Sequence, residues 1–170
     1  MEACTGTECA VRLLGLGNEL LADDAFGILV AREVERRRAL WGRRFRLPTV
    51  AAADIVCSSA SGFHLLDQVL GTRRLVVVDT LATRAGVPGT IHVFRADSHA
   101  GGAGGAAPHF VGRFEVLSVA ASRVLPVPEE VTIIGVEAAD CVTVGGAMHP
   151  DVRAAVRKAA DIAEAMLGPS

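Results

Sequence analysis

The sequence predicts an α/β fold, a three-layer α/β/α sandwich with a mostly parallel twisted sheet of about five strands. Apolar runs alternate along the chain with segments of helical periodicity, which is typical of a sheet layered with helices. Residues 75–78 are apolar at every position, as expected for a central strand that is buried on both faces. The 170 residues suffice for one domain, so we expect a frayed tail over residues 1–10 and a single domain over 11–168.

The first third of the chain predicts two strands and one helix. Residues 11–16 predict a buried first strand. Apolar residues then recur at helical spacing over 26–38, with Asp23 or Asp24 as a suitable N-cap. Residues 48–53 predict the second strand.

The middle of the chain predicts a short helix followed by the central strand. Residues 63–70 predict the helix, and Gly71 is a suitable C-terminal cap. The central strand over 75–78 is expected to stop at Asp79, and Pro88-Gly89 marks a turn into the next strand.

The last part of the chain combines a long loop with three regular elements. After a strand over 90–94, residues 97–112 contain five glycines, a proline and two histidines, which predicts a loop of a length that often carries function. A helix over 114–124, a buried strand over 131–136 and a final helix that begins near Pro150 complete the predicted order.

Composition narrows the classes of protein to which the chain can belong. Seventeen Lys and Arg against nineteen Asp and Glu give a net charge of −2, and the clusters at 36–38 and 43–44 are typical of a solvated helix end, so no nucleic-acid partner is expected. No apolar run approaches the roughly 18 residues of a membrane span, and no secretory signal is recognisable, so we expect no membrane partner. Four cysteines without a CxxC pair favour a reducing cytoplasm. A monomer is the default expectation.

Two acidic positions follow apolar runs, where ligands bind in open parallel sheets. Asp23-Asp24 comes after the first strand and Asp79 after the central one. Each alone is explained by a helix cap or a turn. If the two strands are neighbours, however, these acids share one crevice at the carboxyl edge of the sheet.

A histidine could complete this pair of acids. His109 is the best candidate because it ends the glycine-rich loop, and His99 in the same loop is its nearest competitor. Two carboxylates and an imidazole suit nickel, zinc, iron or manganese, and three protein ligands leave positions open for a substrate.

Other catalytic schemes have weaker support. Ser58, Ser59 and Ser61 lie near His64 but form no nucleophile elbow. Cys57 follows apolar residues, which predicts a buried, inert thiol. The Gly-Leu-Gly at 15–17 lacks the third glycine of a dinucleotide-binding loop, so no nucleotide cofactor is expected.

The segment GLGNELLADDAFG at 15–27 resembles the opening motif of the hydrogenase maturation proteases, endopeptidases that trim the C-terminus of the [NiFe]-hydrogenase large-subunit precursor. The likeness continues in register through Asp79, the turn at 88–90, His109 and the start of the last helix, and it covers about residues 11–167. It implies a phosphorylase/hydrolase-like sandwich and a peptidase that activates another enzyme by processing it.

The resemblance also implies roles for individual residues. Asp24, Asp79 and His109 would be the nickel ligands, and the nickel would be supplied by the precursor, so that the protease acts only after metal insertion. Asp24 and Asp79 are also the candidate catalytic residues of an aspartic-type or nickel-assisted cleavage.

Two departures from the family pattern accompany the likeness. Ala25 replaces a usual glycine, and Cys57-Ser58-Ser59-Ala60 stands where many members carry Asp-Gly-Gly-Thr. A non-catalytic binder or chaperone of the metallated precursor is one alternative. A peptidyl-tRNA hydrolase is another, and the slightly acidic charge disfavours it.

Overall fold

The computed structural model describes residues 9–45, 53–96 and 125–168. Within these ranges the chain forms five strands and three α-helices, and two short 3-10 helices at Asp23–Ala25 and Gly62–Leu65 precede α1 and α2. In chain order the elements are β1 (Cys9–Leu16), α1 (Phe26–Phe45), β2 (Asp54–Ser58), α2 (Leu66–Val69), β3 (Thr72–Leu81), β4 (Ile91–Ala96), β5 (Glu130–Glu137) and α3 (Pro150–Met166).

The strands form one sheet in the order β2-β1-β3-β5-β4. The first four of these run parallel, and β4 pairs antiparallel with β5 at the edge. The mostly parallel five-stranded sheet is therefore confirmed. The pairing of β1 with β3 also places the acids that follow or lie in these strands at the same carboxyl edge.

Helices cover both faces of the sheet, which confirms the predicted α/β/α layering. On one face, α1 and α3 pack on a core that includes Phe26, Val76 and Val152. On the other face, Leu65 and Val69 from the α2 region join a second core with β3 and β5. The predicted helix over 114–124 and loop over 97–112 lie outside the described residues.

Three predicted boundaries are wrong. The second strand lies at Asp54–Ser58, beyond the predicted range 48–53, of which residues 48–52 lie outside the described residues. Arg12 of β1 pairs with Asp54 at 2.8 Å and carries that polar residue into the sheet. The first strand begins at Cys9, inside the predicted tail, since Cys9 pairs with Thr72. The central strand does not stop at Asp79 but continues to Leu81, since β5 pairs with it to that point.

Two glycines allow helix α1 to approach the sheet closely. A Cβ added to Gly27 would lie 2.2 Å from the carbonyl oxygen of Leu16 and 2.3 Å from that of Val78. A Cβ on Gly15 would lie 2.3 Å from the carbonyl oxygen of Gly27. The start of α1 is thereby held directly above the ends of β1 and β3.

Gly27→Ala is expected to destabilise the fold although alanine is the better helix former. The helix propensity of alanine favours it by about 1 kcal/mol, but the clash is with two main-chain oxygens that cannot rotate away. We expect a net loss of at least about 2 kcal/mol, measured by urea denaturation. Gly168→Ala is the matched control, because its added Cβ would meet only an ordinary contact at 3.7 Å. Equal midpoints for the two variants would contradict the expected clash.

The arginines near the end of α1 form ion pairs between helices. Arg37 contacts Asp161 at 2.6 Å and Glu164 at 3.0 Å on α3, and Glu33 at 2.8 Å on its own helix. Hydrogen bonds from Arg36 and Arg37 lower the pKa of Glu33 to about 2.

In the part of the chain described above, no helix has both the length and the apolar character that a membrane span needs.

Candidate functional site

The turn after β1 folds tightly back on the start of the first 3-10 helix. Gly17 has a φ of +150°, and an added Cβ there would lie 1.8 Å from the carbonyl oxygen of Asp24. The N–H of Asn18 donates to that same oxygen at 3.2 Å. Glycine is therefore required at position 17. The turn holds Asp23 and Asp24 close to the carboxyl end of β1.

Asp23 holds a distant loop in place through its carboxylate. The side chain is fully buried, and Oδ2 accepts from the N–H groups of Ala139 and Asp140 at 2.7 and 2.9 Å. Oδ1 accepts from the N–H of His149 at 2.6 Å. The proposed N-cap role of Asp23 is therefore wrong: its acceptors bind the loop between β5 and α3, and the cap position of the 3-10 helix is Ala22 without a side-chain bond.

Asp24 faces the other way, toward β3. Its side chain is 8% exposed, and Oδ1 accepts from the hydroxyl of Thr80 at 3.1 Å. Among the described residues Thr80 is the side-chain donor to this carboxylate, so the second oxygen retains its acceptor capacity. The N-cap alternative is thus not realised by Asp24 either.

Asp79 lies within β3, opposite Gly135 of β5, and is 1% exposed. Its Oδ1 accepts from the N–H of Thr80 at 2.8 Å. Thr80 therefore donates to both candidate acids, with its main chain to Asp79 and its side chain to Asp24. Asp24 thus lies beside the residue that follows Asp79 in β3, and a shared site for the two acids stays a prediction.

Cys141 is the neighbour of this pair that the sequence did not reveal. Its thiol donates to the Thr80 hydroxyl, with Sγ 3.7 Å from Oγ1. Burial raises the pKa of the thiol. The hydrogen bond with Thr80 lowers it in part, and the negative charges of Asp24, Asp23 and Asp79 raise it, so that the net rise favours the protonated form. No local signal marks Cys141, because it reaches the site through the loop that Asp23 holds.

The structure describes some of the chain's histidines, and others lie outside the described residues. His109 and its competitor His99 lie outside the described residues, so the third ligand stays a prediction. His64 is exposed, and the His149 ring caps α3 by accepting from the N–H of Asp151 at 3.3 Å. Over the described ranges 9–45, 53–96 and 125–168, no three His, Cys, Asp or Glu side chains form a group that could hold a metal ion.

A further buried acid, Glu137, has a structural role. It is 3% exposed and accepts from the N–H and the hydroxyl of Thr83 at 3.2 and 3.0 Å. His92 of β4 lies 3.3 Å away through Nε2. These contacts hold the connection between β3 and β4, which explains a charged residue at the end of a buried strand.

The segment Cys57-Ser58-Ser59-Ala60 lies beside the turn after β1. The carbonyl oxygen of Ser58 accepts from the N–H of Gly17 at 3.1 Å, and its hydroxyl accepts from the N–H of Ala60 at 3.0 Å, so it is engaged locally. Cys57 is exposed, so the prediction that it is buried is wrong. Partial desolvation still raises the pKa of its thiol, which disfavours a nucleophilic thiolate.

Comparisons with known proteins agree on one family. The family model described as hydrogenase maturation protease matches residues 43–166. HupM, a hydrogenase expression/formation protein of Azotobacter chroococcum mcd 1, is 32% identical over 165 residues, which cover 96% of this chain and 74% of its own. The hydrogenase 2 maturation protease of Escherichia coli K12 is 28% identical over 127 residues, with 74% and 71% covered.

Solved structures show the same fold. The hydrogenase maturating endopeptidase HybD from Escherichia coli aligns with a TM-score of 0.71 at 24% identity, over 93% of this chain and 91% of that one. The [NiFe] hydrogenase maturation protease HybD from Thermococcus kodakarensis aligns with a TM-score of 0.65 at 23% identity, over 92% and 98%.

Proposed function

Because the chain belongs to the hydrogenase maturation protease family, we propose that it is an endopeptidase that removes the C-terminal extension of a [NiFe]-hydrogenase large-subunit precursor after nickel insertion. The observation that carries the proposal is the hydrogen bond between Asp24, which follows β1, and Thr80, the residue next to Asp79 in β3. Family membership implies peptidase activity. The nickel requirement and the site of cleavage are the proposed part.

Nickel in this proposal belongs to the substrate. Asp24 and Asp79 offer carboxylate oxygens, and His109 would offer an imidazole, a donor set that divalent nickel accepts. Such donors are harder than thiolates, so they would add to a nickel already held by precursor cysteines without extracting it. The protease would thereby bind the metallated precursor in preference to the empty one.

Cleavage of a peptide bond requires a nucleophile and a group that accepts its proton. Asp24 is the better placed of the two acids for either role, ligand or base, because its second carboxylate oxygen has no donor among the described residues and its side chain is 8% exposed. Water is the nucleophile that the residues support best, since the raised pKa of the Cys141 thiol favours its protonated form. Nickel bound in the precursor would orient the scissile bond and polarise its carbonyl.

The test uses the full chain with a purified precursor, with and without nickel. We expect the nickel-loaded precursor to lose the mass of its C-terminal extension, and the nickel-free precursor to stay intact, as measured by mass spectrometry. Complex formation with no change in precursor mass would favour the chaperone alternative. Equal cleavage of both precursors would contradict nickel as the recognition element.

We propose a cytoplasmic location and a monomeric protease with no nucleotide, nucleic-acid or membrane partner. The exposed Arg36 is paired with Glu33 at 2.8 Å, which offsets its charge on the surface of α1. Size-exclusion chromatography with light scattering tests the oligomeric state.

A further inference from the structure

Thr80 has an unusual position, because it contacts both candidate acids and a thiol. Its N–H donates to Asp79 at 2.8 Å, its hydroxyl donates to Asp24 at 3.1 Å, and the Cys141 thiol donates to that hydroxyl at 3.7 Å. The main chain of Thr80 is fixed by β3, which pairs with β5 at this point. The direction of its hydroxyl is therefore constrained from both sides.

The alternation of side chains along β3 explains why a hydroxyl is needed here. Val76 and Val78 pack in the core under α1, while Val77 and Leu81 pack in the core on the α2 side. By this alternation Thr80 extends toward α1, where Asp24 begins the helix region, and Asp79 extends toward the other face. The side chain at position 80 can thus link Asp24, which precedes α1, to β3, which carries Asp79.

A threonine hydroxyl has one hydrogen, so its two contacts determine which partner receives that hydrogen and which partner donates to the oxygen. The hydrogen points at Asp24, and the lone pairs face the thiol that donates to them. The β-branched side chain has few accessible rotamers, which limits the cost of holding this orientation. The hydrogen bond thereby gives the Asp24 carboxylate one direction.

We propose that Thr80 is a positioning residue that fixes the direction of the Asp24 carboxylate toward the metal and the scissile bond of the substrate. The inference rests on the proposed function. Thr80 itself does not contact the substrate. Its hydroxyl acts through Asp24, as outer-shell hydrogen bonds do for metal-binding carboxylates.

The test compares Thr80→Val, which removes the hydroxyl, with Thr80→Ser, which keeps it. Both variants retain the main-chain bond to Asp79. We expect Thr80→Val to lower kcat for the nickel-loaded precursor about 10-fold or more with a much smaller change in KM, and Thr80→Ser to restore most of the rate. Thr132→Val is the matched control, because it lies in β5 four register positions away. Urea denaturation verifies that each variant is folded.

Two results would overturn the inference: wild-type kcat in Thr80→Val, or a Ser variant as slow as the Val variant. If the wild-type chain cleaves no precursor, the proposed function fails, and crystal structures of wild type and Thr80→Val decide the present question separately. A carboxylate of Asp24 that turns away in Thr80→Val supports the positioning role, and an unchanged orientation refutes it.

Discussion

Asp24→Asn is expected to reduce precursor processing by about 100-fold or more while the fold is retained. The amide keeps an oxygen that can accept the Thr80 hydroxyl, so the one side-chain hydrogen bond described for this residue survives. Removal of the negative charge also relieves repulsion between neighbouring carboxylates. What is lost is a charged ligand and a base, which affects the reaction and not the folding.

The rate is measured as precursor mass loss against time, with thermal denaturation of the same samples. Asp79→Asn is expected to give a loss of similar size, because the charge it removes belongs to the same pair. Asp67→Asn is the matched control, since Asp67 is an exposed carboxylate on α2. Processing by Asp24→Asn at the wild-type rate would exclude Asp24 from the site.

The fold could be predicted from the sequence because its signals are local. The apolar run in β3 and the proline at the first turn of α3 both have the predicted role. The predicted second strand ends too early, at residue 53, because Asp54 is a poor strand residue unless it is paired. Its partner, Arg12, lies 42 residues earlier, and no local pattern joins the two.

The site could be predicted only in part, because some of its contacts join residues that are far apart in the sequence. The positions of Asp24 and Asp79 follow from the carboxyl edge of a parallel sheet. The parts played by Thr80 and Cys141 depend on side-chain contacts between β3 and the loop after β5, which periodicity does not encode. His109 stays a prediction, since it lies outside the described residues.

Asp23 and Asp24 also have different roles, which their adjacent positions in the sequence do not reveal. The sequence offers Asp23 and Asp24 as equivalent candidates for a helix cap. The structure gives Asp23 three main-chain donors from residues 116 to 126 positions later, and gives Asp24 a hydroxyl from β3. The same chemical change at the two positions is therefore expected to have opposite consequences.

Asp23→Asn is expected to destabilise the fold by about 2–4 kcal/mol. The asparagine oxygen can replace Oδ2 and accept from Ala139 and Asp140, but the amide nitrogen then faces the N–H of His149 with no acceptor between them. One buried donor is left unsatisfied, and the two remaining bonds lose the strength that a charged acceptor gives. The measurement is the free energy of unfolding in urea.

Asp24→Asn supplies the internal control, because it changes the same group one residue later and is expected to cost less than about 1 kcal/mol. The stability loss of Asp23→Asn should be accompanied by faster amide exchange in the loop over 139–149, which this carboxylate holds. Processing by Asp23→Asn, assayed well below its unfolding temperature, should exceed that of Asp24→Asn, because the charge at Asp24 is intact. If instead Asp24→Asn proved the less stable protein and Asp23→Asn the inactive one, the roles of the two acids would have to be exchanged.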